Sequence, residues 1–204
     1  MVLLRKRMHL LRQYIQEGEV YRRSDLDYFS TAIDRHLAQL TEEGTLVKLS
    51  HGLYYAPKQS KFGVLPPDEK QLIGRFLQDE DFLLVSPNSF NSLGLGLTQL
   101  YNTTWVYNHK RNGEVKLNGK TFEFKRRSSF PKAITREFLL VDLLNSLEDL
   151  AESTTSILEI LPNCLSTFDT GVLLTTSQKY GTGKTKRILK TILRNTLQYA
   201  GFHP

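Results

Sequence analysis

Leu4, Met8, Leu11 and Ile15 recur at three- and four-residue spacing, and that recurrence constrains what the next forty residues can become. One apolar stripe of this period predicts a helix over residues 3–16, ended by Gly18. A single stripe has to be covered by neighbouring elements, and the residues that follow supply them. Val20-Tyr21 reads as a short extended segment, and Arg23-Ser-Asp-Leu26 as a brief helix capped at or near Ser24. Ser30 caps a third helix that carries Ile33, Leu37 and Leu40 on one face and stops at Gly44. Residues 46–49 and 53–56 then read as two strands joined through Ser50-His51-Gly52. Helix, helix, turn, helix and hairpin is the order of a winged helix-turn-helix domain.

The whole chain has 204 residues, 40% hydrophobic and 24% charged. At this length about 70% of the unfolded surface can be buried, so a disordered chain is excluded and no metal or disulfide is needed for a core. One cysteine, Cys164, builds neither an internal disulfide nor a zinc site by itself. That usage points to a cytoplasmic protein. No apolar run approaches the roughly 18–20 residues of a membrane span, and the basic, apolar start reads as the first helix of the fold, not as a signal peptide. Gly63 to Pro67, with its double proline, is the linker candidate. It divides the chain into a winged-helix domain over 1–61 and a second domain over 62–204.

The net charge of +6 is unevenly placed. Residues 135–175 hold one Arg against seven acids, whereas residues 176–204 hold six bases and no acid. A modest excess of this kind leaves the position of each cation to decide whether nucleic acid is bound. With Ile33, Leu37 and Leu40 turned inward, Thr31, Asp34, Arg35, His36 and Gln39 fall on or beside the open face of the third helix. Arg35 and Gln39 are the side chains suited to base edges, and Thr31 to phosphate. Lys48 and His51 sit on the wing, and Arg22 and Arg23 at the start of the second helix, where they would meet the DNA backbone. The same pattern fits a winged helix that binds protein and never touches DNA.

The second domain reads as α+β with antiparallel strands and C-terminal helices. Residues 67–79 carry a helical stripe, Phe82–Val85 and Thr103–Asn108 read as strands, and Asn118-Gly119 between alternating runs is a hairpin signal. Lys125, Arg126 and Arg127 close that hairpin, where they either grip phosphate or an acidic partner or guard a sheet edge. Helices follow over 138–150 and 184–200; on the last, Ile188, Leu189, Ile192, Leu193 and Leu197 turn inward while Arg187, Lys190 and Arg194 line another face. Gly181-Thr-Gly-Lys-Thr185 is half of a phosphate-loop motif, with Gln178 where the first glycine is required. No pair of carboxylates, no His-x-x-x-His and no Cys–His arrangement argues for catalysis, so the chain is read as a non-enzyme without cofactor or metal.

Two blocks carry a resemblance. The first is Thr31-Ala-Ile-Asp-Arg-His-Leu37 through Gly44, followed by His51-Gly-Leu-Tyr-Tyr-Ala-Pro-Lys58 and Ser60-Lys-Phe-Gly63. The second is Ser86-Pro-Asn-Ser-Phe-Asn-Ser-Leu-Gly-Leu-Gly-Leu-Thr-Gln99 with Asn118-Gly-Lys-Thr-Phe-Glu-Phe-Lys-Arg-Arg127. Over residues 3–150 the chain resembles bacterial antitoxins of the AbiEi type, a type IV toxin–antitoxin family. The resemblance implies an antitoxin that neutralises a nucleotidyltransferase-like toxin and represses its own operon by binding inverted repeats as two copies. Carried over by position, it implies double-stranded operator DNA contacts from Arg22, Arg23, Thr31, Arg35, Gln39, Lys48 and His51. A stand-alone transcriptional regulator and a pure protein-interaction module are the alternatives.

Overall fold

In the computed structural model the backbone is described for residues 2–200 and the side chains for residues 7–195. The fold is α+β, with largely antiparallel sheets, one parallel pair among them, and a C-terminal set of helices. The chain forms two compact units, Met1–Asp81 with Lys116–Lys120, and Phe82–Val115 with Thr121–Pro204.

In the first unit, helix α1 (Val2–Tyr14) leads to strand β1 (Val20–Arg22), helix α2 (Arg23–Leu26) and a 3-10 turn (Asp27–Phe29). Helix α3 (Ile33–Glu42) and strands β2 (Val47–Ser50) and β3 (Leu53–Tyr55) complete a winged helix. Its three strands lie in the order β1-β3-β2, all antiparallel. The core is the one the apolar spacing predicts. Leu11, Leu26, Ile33, Leu37, Leu40 and Leu46 are buried together, with Met8 and Ile15 packed against them. Leu4 lies outside the described side chains. Asp25, not Ser24, closes the start of α2, its carboxylate accepting from the Arg22 amide at 2.9 Å. Gly44, at φ +76°, ends α3 in the left-handed conformation that costs a glycine little.

The segment read as a linker is built differently. Strands β4 (Lys58–Ser60) and β5 (Gly63–Leu65) pair antiparallel as a separate two-stranded hairpin. Helix α4 (Glu69–Leu77) follows, its first turn capped by Asp68, which accepts from the Gln71 amide at 2.8 Å. This helix packs on β1: the Gln71 side chain accepts from the Val20 amide at 3.0 Å, and Arg22 donates to the Arg75 and Phe76 carbonyls at 2.8 and 3.1 Å. The first compact unit therefore extends past residue 61, to Asp81. The double proline stops β5 without separating what flanks it.

Strands β6 (Phe82–Val85), β7 (Thr103–Asn108), β8 (Gly113–Leu117) and β9 (Lys120–Arg126) form a sheet in the order β6-β7-β9-β8. β6 and β7 are antiparallel, while β7 and β9 run parallel, a pairing that alternation within each strand does not reveal. Asn118 and Gly119, at φ +48° and +76°, form the turn between β8 and β9, the geometry for which Asn-Gly is favoured. The helices of the second unit are α5 (Arg136–Asn145), α6 (Thr154–Leu165), α7 (Thr170–Tyr180) and α8 (Gly183–Ala200). A 3-10 turn at Pro87–Leu93, Trp105, Tyr107 and these helices share one apolar core. On α8, Leu189 and Leu193 are buried and Ile188 and Ile192 pack at the margin; Leu197 lies outside the described side chains. Among the described residues, no helix is long and apolar enough to cross a membrane.

Candidate nucleic-acid interface

Helix α3 presents Asp34, Arg35, Ala38, Gln39 and Glu42 to solvent, the complement of its buried Ile33, Leu37 and Leu40. His36 is not on that open face. It is 5% exposed, and its Nδ1 has no hydrogen-bond partner. The position three residues after Ile33 and four before Leu40 explains this, because it turns the imidazole into the same buried stripe. Between α3 and the β2–β3 turn lies an open cleft of about 650 Å³, lined by Arg23, Asp34, Ala38, Thr41, Glu42, Lys48, His51 and Tyr54. Helix α3 and the wing thus border one concave surface.

Each cation named from the sequence is used differently there. Arg35, Lys48 and His51 are exposed, and among the described residues none is held in an ion pair. Arg23 is held by Asp34 in a two-point pair, Nε to Oδ1 at 2.6 Å and Nη2 to Oδ2 at 2.9 Å. Its amide donates to the Gly52 carbonyl at 2.9 Å, so Arg23 ties the start of α2 to both α3 and the wing. The paired guanidinium holds the Asp34 carboxyl below the usual carboxylate range. Arg22 faces α4 instead, capping its C-terminal carbonyls, where a cation also meets the negative end of the helix dipole. Gln39 donates to Glu43 at 2.8 Å, and Arg12 pairs with the same carboxylate. Hydrogen bonding by Gln39, then by Arg12, keeps the Glu43 carboxyl low. Thr31 accepts from Arg7 at 3.2 Å.

The cations of the second unit divide in the same way. Lys125 lies 3.8 Å from the centre of the Trp105 ring and donates to Asp149 at 2.8 Å; its side chain is 13% exposed. Arg127 lies over the Tyr107 ring at 5.0 Å. Arg126 is exposed. Arg187, Lys190 and Arg194 all face solvent on α8, where Arg187 also donates to the Gly183 carbonyl at 3.2 Å.

The half phosphate-loop is the corner between α7 and α8. Thr182 Oγ1 accepts from the Thr185 amide at 3.2 Å, the buried Thr185 hydroxyl donates to Asn145 at 2.8 Å, and Lys184 pairs with Glu148 at 2.7 Å. Cys164 donates its thiol to the Leu93 carbonyl. Sequence reasoning passed over the buried polar pair beneath the sheet. There the Tyr107 hydroxyl donates to both Asp142 oxygens, at 2.7 and 2.9 Å. Burial raises the Asp142 carboxyl to about 6, against the opposing hydrogen bond from Tyr107 and the charges of Arg127 and Lys125. The one available signal was an acid in an otherwise apolar run, Phe138-Leu-Leu-Val-Asp-Leu-Leu144. Among the described residues no group of three or more His, Cys, Asp or Glu side chains is placed to hold a metal ion.

No protein-family profile matches the chain. No curated protein matches it either. Among solved structures, the crystal structure of the RV2827C protein from Mycobacterium tuberculosis is similar, with a TM-score of 0.57 and 12% identity. The match covers 96% of this chain and 78% of that one. At this identity the likeness shows a shared fold alone.

Proposed function

We propose that the chain is a DNA-binding antitoxin, which reads operator DNA through its winged helix and counteracts a nucleotidyltransferase-like toxin through its second unit. The observation that carries the DNA half is Arg35, exposed in the first turn of α3 and unpaired among the described residues, on the helix whose neighbouring face, with the wing residues Lys48 and His51, lines the open cleft. An α-helix of ten residues is about 15 Å long and fits a major groove about 12 Å wide. Arg35 would there donate to guanine O6 and N7, while Lys48 and His51 rest on phosphate. Two copies on an inverted repeat would read two half-sites. The toxin half rests on the resemblance of residues 3–150 to AbiEi-type antitoxins.

A protein-binding winged helix is the second reading, and one observation favours it. The reading face carries Asp34 and Glu42, and Arg23 is already neutralised by Asp34. Titration of the chain's own upstream promoter DNA at several salt concentrations separates the two. Arg35→Ala is expected to cost about 1–3 kcal/mol on the promoter and to leave random DNA nearly unchanged. Lys48→Ala weakens both and lowers the salt slope by about one. If the promoter binds no better than random DNA, the operator reading is wrong. Co-expression with the neighbouring gene then tests the toxin half separately.

A further inference from the structure

The β4–β5 hairpin exposes an apolar surface at its turn and along β5. Phe62, in its turn, is 100% exposed, and Val64 and Leu65 are 57% and 41% exposed. The hairpin is a separate two-stranded sheet, and such a ribbon is marginal alone in water. It is anchored at its base, where the Tyr55 hydroxyl donates to the Leu65 carbonyl at 2.8 Å.

Its two edges differ in chemistry. β4 begins with Lys58 and leads into Lys61, and lysines on an edge strand are a known guard against strand addition. The other side, Phe62-Gly-Val-Leu-Pro-Pro67, has no charge at all. No described strand pairs with the outer edge of β5.

We propose that two copies of this chain pair along β5, antiparallel and two-fold symmetric about Val64. An interface of this symmetry must be complementary to itself, and this one is. Val64 stands opposite its own copy, Gly63 opposite Leu65, and Phe62 opposite Pro66. No like charges meet: Lys58 falls on the outer strand of each copy and Lys61 in the turn. Pro66 and Pro67, without amide protons, end the ladder. β3 runs from the wing turn towards this hairpin, so pairing here occupies the end of the winged-helix sheet away from the wing. The interface is small beside the roughly 1,200–2,000 Å² of stable complexes, so the dimer forms reversibly and its population depends on concentration.

This inference does not rest on the DNA reading, and its test needs no DNA. Sedimentation of the full chain is expected to give a monomer–dimer equilibrium in the micromolar range. Phe62→Ser and Val64→Lys, both at exposed positions, should weaken it at least about tenfold, or roughly 1.4 kcal/mol, with unchanged circular dichroism. Arg35→Ala should leave it unaltered. Opposed residues of an antiparallel pair have Cα atoms about 4.5–5.5 Å apart, a separation that a disulfide spans. Val64→Cys in a Cys164→Ser background should therefore cross-link into a covalent dimer on mild oxidation. A chain that stays monomeric to about 1 mM, or a dimer indifferent to Val64→Lys, overturns the proposal. In that case the strand is left to a different protein.

Discussion

Asp142 is a carboxylate with almost no water around it: 2% exposed, on α5, its oxygens filled by the Tyr107 hydroxyl. Burial raises its folded-state value to about 6, above the value of about 3.9 in an unfolded chain. The folded state therefore holds this proton more tightly than the unfolded one. The stability it contributes is complete below about pH 4 and is lost as pH rises through 6. A rise of this size corresponds to about 3 kcal/mol. Asp142→Asn keeps an acceptor for Tyr107 and cannot ionise. Between pH 5 and 7.5 the wild-type melting temperature should fall relative to that of Asp142→Asn, and parallel curves for the two proteins would refute this. At the residue scale, what the sequence supplies is a count of charges, not their partners. Arg22, Arg23, Arg35 and Lys125 read alike as free cations, and only Arg35 is unpaired among the described residues. Arg22 was claimed by α4 and Lys125 by Trp105 and Asp149, across sequence separations that no local pattern encodes.

Elements were legible wherever one periodicity ran uninterrupted between clear stops. α1, α3, β6, β7 and the Asn118-Gly119 turn follow from spacing and turn chemistry almost to the residue. α6 and α7 gave no such signal: α6 carries Pro162 inside it, and α7 buries only Leu173 and Ser177. The glycines of Gly181-Thr-Gly-Lys-Thr185 drew attention as a nucleotide motif, but the first has a packing reason. A Cβ on Gly181 would stand 2.5 Å from the Ser177 carbonyl oxygen, which is backbone and cannot swing aside. Gly181→Ala should destabilise the chain by about 1–3 kcal/mol, readable as an earlier denaturant midpoint. Gly183, whose Cβ would meet nothing within 4 Å, should accept alanine with a much smaller loss. Equal effects at both positions would mean that the close approach at Gly181 is immaterial.

At the scale of the molecule, composition and the winged-helix order settled the fold class, while the extent of the first unit depended on long-range packing. α4 lies beyond the double proline, yet it supplies buried Leu72 and Ile73 and satisfies the Val20 amide. A fragment ending at residue 61 should consequently melt about 10 °C or more below one ending at residue 81. Equal melting would place the boundary back at the prolines. The sheet of the second unit has a consequence for folding time. β9 lies between β7 and β8, although the chain reaches β8 first. Strands added in the order of synthesis would have to leave an empty slot beside β7 and fill it later. The local route avoids this: β8 and β9 close over Asn118-Gly119 on the microsecond scale of an isolated hairpin, and the pair then docks as a ribbon, β9 first. The two residues of that turn therefore act on the rate of folding as well as on the shape of the sheet, and slowing their closure delays the whole unit.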